Sequence, residues 1–160
     1  MIDAISLSEN KPILRVIGGL IPSTLPYMNL LKKRAKSRKV KVEFYPNISR
    51  EELVKIATSS KVFAHACRGE HFGIAVVEGM ASGCPVVVHK SGGAYEDITD
   101  YGKYGLVYSS VEELVECIDK LMSDLKVWTY YHDLSLRRNK EYSEDAFRNK
   151  FLKVIKRVGW

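Results

Sequence analysis

The stretch from Val62 to Val88 limits the fold of this chain more than any other. Val62-Phe63-Ala64-His65-Ala66 is a short apolar run of the kind that forms a strand covered on both faces, and it breaks at Arg68-Gly69. Gly73 to Ser82 reads as a helix, with Gly83 just past its end and Pro85 where a helix cannot continue. Val86-Val87-Val88 is the next buried strand. Strand, helix and strand in this order make a βαβ unit with a right-handed connection. Its ligand site lies at the carboxyl ends of the strands, where the helix also begins.

Two acids stand around that helix start. Glu70 belongs to the loop at the rim, and Glu78 falls about two turns into the helix, on the face of Ile74. Glu78 interrupts an apolar helix, where an unpartnered charge is costly, so it requires a partner or a ligand. The backbone N–H groups of Phe72, Gly73 and Ile74 are expected to be free there and to favour an anion such as a phosphate. Each residue also has an ordinary structural reading. Glu70 can be a loop acid stabilised by the helix dipole, Glu78 can pair with a neighbour, and His71 can pack the loop. His65, inside its strand, is expected to be a satisfied core histidine.

The remaining sequence continues the α/β alternation. Pro12 to Gly19 and Val40 to Tyr45 read as strands, the latter ending at Pro46-Asn47, and Gly105 to Tyr108 as another. Ser49-Arg50-Glu51-Glu52 and Ser110-Val111-Glu112-Glu113 are capping boxes that open helices through Ala57 and Met122. Leu125 to Trp160 is helical in pattern, with Ser143 as a cap and Phe147, Phe151, Leu152 and Ile155 on one apolar face. The expectation is α/β: a Rossmann-like parallel sheet of five strands, flanked by helices on both faces. With no repeat, low-complexity segment or linker, residues 1–160 form a single domain.

Charge and cysteines narrow the partners. The net charge of +6 comes largely from residues 32–41 and from the last helix, with Arg148, Lys150, Lys153, Lys156 and Arg157. A solvated helix face accounts for these clusters, and an anionic membrane surface is the sharper alternative. No nucleic-acid motif accompanies them, so no nucleic-acid partner is expected. Three cysteines without paired metal spacing point to reduced thiols and a cytoplasmic location, peripheral to the inner membrane face if the basic clusters meet lipid. No run of eighteen apolar residues is present to span a membrane.

Glu70 and Glu78, with Phe72-Gly73 between them and Met80-Ala81-Ser82-Gly83 after, resemble the E-x7-E element of retaining glycosyltransferases of the GT-B fold, family GT4. Ser91-Gly92-Gly93 followed by Glu96 resembles the glycine-glycine loop that comes next in that family. Glu70-His71-Phe72-Gly73-Ile74 together with His89-Lys90-Ser91-Gly92-Gly93 is most similar to the mannosyltransferases that extend lipid-linked oligosaccharides.

The resemblance implies the carboxyl-terminal, donor-binding domain of such an enzyme. Pro12 to Gly19 resembles the second strand of that domain, so the first strand-helix unit is expected to be missing, along with the arginine-lysine pair that binds the donor pyrophosphate. Arg68 and Lys90 are the candidates to replace that charge. The donor implied is a nucleotide-diphosphate hexose, GDP-mannose or a UDP-sugar, with no cofactor and no metal. Glu70 is implied as the catalytic carboxylate near the anomeric carbon and Glu78 as the ribose ligand. His71, Phe72, Gly73, Ile74, Gly92 and Gly93 are implied around the sugar and phosphates, with Asn47 near the base. GT-B enzymes react in a cleft between two domains, so a separate acceptor-binding chain or a missing amino-terminal domain is expected as partner. The alternative is a non-catalytic nucleotide-binding or interaction module that kept the fold.

Overall fold

The computed structural model describes residues 1–158; the expected helical run to Trp160 extends past them, and Gly159 and Trp160 lie outside the described residues. All five expected strands form: β1 (Leu14–Gly18), β2 (Val42–Pro46), β3 (Phe63–His65), β4 (Val86–His89) and β5 (Leu106–Tyr108). Every pairing is parallel. The helices are α1 (Ile2–Leu7), α2 (Leu25–Ser37), α3 (Arg50–Thr58), α4 (Ile74–Ala81), α5 (Val111–Ser123), α6 (Leu125–Asn139) and α7 (Glu144–Arg157).

One expectation is corrected. The strands form two sheets, β1-β2 and β3-β4-β5, rather than one. Between β1 and β3 runs a largely apolar groove of about 650 Å³, lined by Leu14, Ile17, Ala64 and His65 and reaching Ala75 and Glu78 of α4. In the doubly wound strand order one further strand stands between these two. Among the described residues none does, and the facing edges of β1 and β3 do not pair.

The three-stranded sheet holds the core. Val86 and Val88 of β4 pack with Val76 and Met80 of α4 on one face, while Val87 meets Ile5 of α1 and Leu114 and Ile118 of α5 on the other. This is the two-sided burial that an uninterrupted valine run signals. Ser49 caps α3 as expected, its hydroxyl accepting from the Glu52 N–H and the Glu52 carboxylate accepting from the Ser49 N–H. At α5 only half of the box forms: Ser110 Oγ accepts from the Glu113 N–H, but Glu113 turns to the N–H of Ser109. Ser143 caps α7, yet its expected apolar face is largely uncovered; Phe147, Phe151 and Leu152 are exposed and Ile155 is half-buried.

Candidate functional site

The site forms where β3 and β4 end and α4 begins. Gly73, the residue before α4, has φ +101°, and a side chain there would press on Ala94 Cβ at 3.2 Å, so the turn into the helix is closed to other residues. Helix hydrogen bonding starts with the Val76 N–H donating to the Gly73 carbonyl at 2.9 Å. Among the described residues the N–H groups of Phe72, Gly73, Ile74 and Ala75 find no protein acceptor, which leaves the helix start open to an anion. Ile74 is 68% exposed, Phe72 stands edge-on to Tyr142, and His71 is exposed in the same loop.

Gly92 and Gly93 have a definite job. The Gly93 N–H donates to the Glu70 carbonyl at 2.7 Å, and the Gly69 N–H donates to Ser91 Oγ at 3.0 Å. A Cβ on Gly92 would lie 2.3 Å from the Glu70 carbonyl oxygen, and one on Gly93 2.2 Å from that of His71. Only glycine allows this backbone approach, and Gly92 also needs it for φ +70°. The glycine pair therefore clamps the loop that carries Glu70, His71 and Phe72. Ser91 is held in turn by His89, whose Nδ1 lies 2.7 Å from its hydroxyl. Desolvation and then the nearby Arg68 guanidinium lower the pKa of His89, so the ring favours its neutral form.

Glu78 is neither buried nor free. Arg50 Nη1, from the first turn of α3, donates to Glu78 Oε1 at 2.9 Å, while Oε2 has no protein partner among the described residues. Arg50 is 77% exposed on its side chain and Glu78 32%, so this pair is a solvent-screened contact of modest strength. Glu78 faces the groove between the sheets, whose wall also includes His65. Glu70 stands against that histidine, its Oε2 3.4 Å from His65 Nε2. Glu78 therefore lines the groove itself, whereas Glu70 meets its wall through His65 and is not part of the lining.

His65 is not the satisfied core histidine expected. Its Nε2 is sealed from solvent and has no hydrogen-bond partner among the described residues, because the contact with Glu70 falls outside hydrogen-bond geometry. Cys67, two residues on, joins the same corner and is exposed; desolvation and then the Glu70 carboxylate raise the pKa of its thiol. Asn47 belongs to a different part of the fold. Its side chain clasps the loop after β1, accepting from the Leu20 N–H and donating to the Leu20 carbonyl, both at 2.8 Å. An apolar pocket of about 200 Å³ lies beside it, lined by Gly18, Gly19, Tyr27, Tyr45 and Pro46, and it shares Gly18 with the groove.

Comparison with known proteins decides the family. Residues 1–137 match the model of glycosyl transferases group 1. The chain belongs to this family. Among curated relatives, the GDP-Man:Man(3)GlcNAc(2)-PP-Dol alpha-1,2-mannosyltransferase of Dictyostelium discoideum is 34% identical over 115 residues, which is 72% of this chain and 23% of that protein. A probable sucrose-phosphate synthase of Thermosipho melanesiensis is 32% identical over 130 residues, 76% of this chain and 29% of that one. This group 1 chain thus spans about a quarter of the length of the curated relatives it matches. In fold it is similar to Anabaena HepE, solved with UDP and glucose: TM-score 0.84 at 20% identity over 97% of this chain and 43% of that one. The carboxyl-terminal domain of the group 1 protein LpcC from Francisella tularensis gives TM-score 0.77 at 23% identity, over 89% of this chain and 77% of that structure.

Proposed function

We propose that this chain is the donor-binding domain of a retaining glycosyltransferase that moves a hexose from a nucleotide-diphosphate sugar to a glycan or lipid-linked acceptor. The observation that carries the reading is the open start of α4, with four unpaired N–H groups, flanked by Glu70 in its loop and Glu78 on its groove face. The nucleotide base lies toward the pocket beside Tyr45 and Pro46, and the ribose hydroxyls bind Glu78, whose Oε2 is available beside the Arg50 contact. The diphosphate meets the N–H groups of Phe72 to Ala75 and the helix dipole, with Arg68 and Lys90 as cations. Asn47 shapes the base pocket through its clasp on Leu20 rather than by direct contact.

Bond cleavage leaves positive charge on the anomeric carbon and negative charge on the departing diphosphate. Glu70 stabilises the first and the helix start the second. In a retaining reaction the leaving phosphate takes the acceptor's proton on the same face, so this chain supplies no dedicated base. GDP-mannose is the first donor to test, because several curated relatives are named GDP-mannose transferases. A second domain or chain grips the acceptor. The basic residues of α7, beside exposed Phe147 and Phe151, suit a peripheral contact with an anionic membrane at the cytoplasmic face; among the described residues no helix is long and apolar enough to cross one.

Isothermal titration with GDP-mannose, UDP-glucose, GDP and UDP tests the reading. One nucleotide series is expected to bind saturably, with Glu78→Gln weakening it by about 1–3 kcal/mol through loss of a charged acceptor. No binding of any of the four at millimolar concentration would remove the donor-site reading.

A further inference from the structure

The corner beside the helix start groups Glu70 with two residues, His65 and Cys67, to which sugar transfer assigns no role. His65 ends β3, and Cys67 and Glu70 follow in the loop. Their ligand atoms, an imidazole nitrogen, a thiol sulfur and a carboxylate oxygen, all lie within 4.8 Å of one another. His65 Nε2 faces Glu70 with no hydrogen bond among the described residues and no access to water. A buried ring nitrogen in that state lacks the partner that such groups almost always have.

We propose that His65, Cys67 and Glu70 bind a zinc-class divalent ion, with water or a solvent ligand in the fourth position. One nitrogen, one sulfur and one oxygen form a borderline-soft set that suits zinc or cobalt and disfavours magnesium and calcium, which take oxygen ligands. Zinc bonds of about 2.0–2.3 Å place tetrahedral ligand atoms roughly 3.5 Å apart, so the corner has to contract by about 1 Å. The His65–Glu70 side is already at that spacing, at 3.4 Å. The contraction falls on Cys67, which is exposed and lies in the loop. On binding, the Cys67 thiol gives its proton to solvent as the sulfur–metal bond forms, while His65 binds neutral and Glu70 ionised. One proton is released per ion, so affinity rises with pH.

The site shares Glu70 with the proposed donor pocket. If that reading holds, metal and donor sugar exclude each other and the ion inhibits transfer. Metal binding itself does not depend on that reading.

The test is a Co²⁺ titration of the intact chain, without nucleotide, followed by displacement with Zn²⁺. One equivalent is expected, with thiolate-to-cobalt charge-transfer absorption in the near ultraviolet that Zn²⁺ abolishes. Cys67→Ser removes that absorption and Cys117→Ser leaves it unchanged. His65→Gln should weaken binding by at least the roughly 10–100-fold that loss of a supporting group alone costs at metal sites. Circular dichroism verifies the fold of each variant. Absence of the charge-transfer band, or its survival in Cys67→Ser, would overturn the proposal. A second titration, GDP-mannose with and without Zn²⁺, addresses only the exclusion. The Cys67→Ser protein at the same total zinc corrects for metal held by the diphosphate.

Discussion

The two sheets of this molecule are built to different standards. In the three-stranded sheet, Val86, Val87 and Val88 are fully buried, and helices seal both faces. In the two-stranded sheet no strand residue is buried; α3 contributes none and α2 only Ala35. Glu70 and the start of α4, to which we assign the sugar and diphosphate, are mounted on the well-packed half, while the pocket proposed for the base belongs to the other. Groups that stabilise charge must be held to a fraction of an ångström, whereas a flat base tolerates more play. Gly92 and Gly93 show how the first requirement is met: their bare backbones lock the Glu70 loop to the end of β4.

The largest expected effect comes from removing packing. Met80→Ala, at a fully buried position under β4, should cost about 2–5 kcal/mol in urea denaturation. Ile17→Ala in β1, already 36% exposed, should cost under about 1.5 kcal/mol by its smaller transfer loss. Equal losses would mean that the two halves share one standard of packing. Next comes a matched pair of glycines. Gly92→Ala places a methyl group against the Glu70 carbonyl and forces a left-handed residue, so it should cost about 1–3 kcal/mol and weaken donor binding as the loop shifts. Gly18→Ala, with nothing within 4 Å of its new Cβ, should stay within about 0.5 kcal/mol. Nucleotide-sugar titration of both variants sharpens the contrast, and a neutral Gly92→Ala would break it.

How much of this was legible in the sequence depends on the reach of each interaction. The valine run of β4, the caps Ser49 and Ser143 and the glycine after α4 are local signals, and each lies where the sequence puts it. The family resemblance likewise rests on a contiguous stretch, residues 70–96. The division of the sheet was hidden because strand pairing joins residues far apart in the chain, and every strand was correct taken singly. Arg50 as the partner of Glu78 was hidden for the same reason, since 28 residues separate them. The clasp of Asn47 on Leu20 was hidden likewise, since 27 residues separate them; its positive φ of 52° is a turn property that its position after a strand does not reveal. The state of His65 depends on a loop conformation that no local pattern encodes.

The most direct test of the donor site is amide hydrogen exchange with and without saturating GDP-mannose. The N–H groups of Phe72, Gly73, Ile74 and Ala75, unpaired in the free chain, should exchange rapidly alone and slow markedly once a diphosphate accepts from them, while β4 stays protected throughout. Saturable binding that leaves these four amides unchanged, with protection arising elsewhere, would contradict the claim that the start of α4 holds the donor.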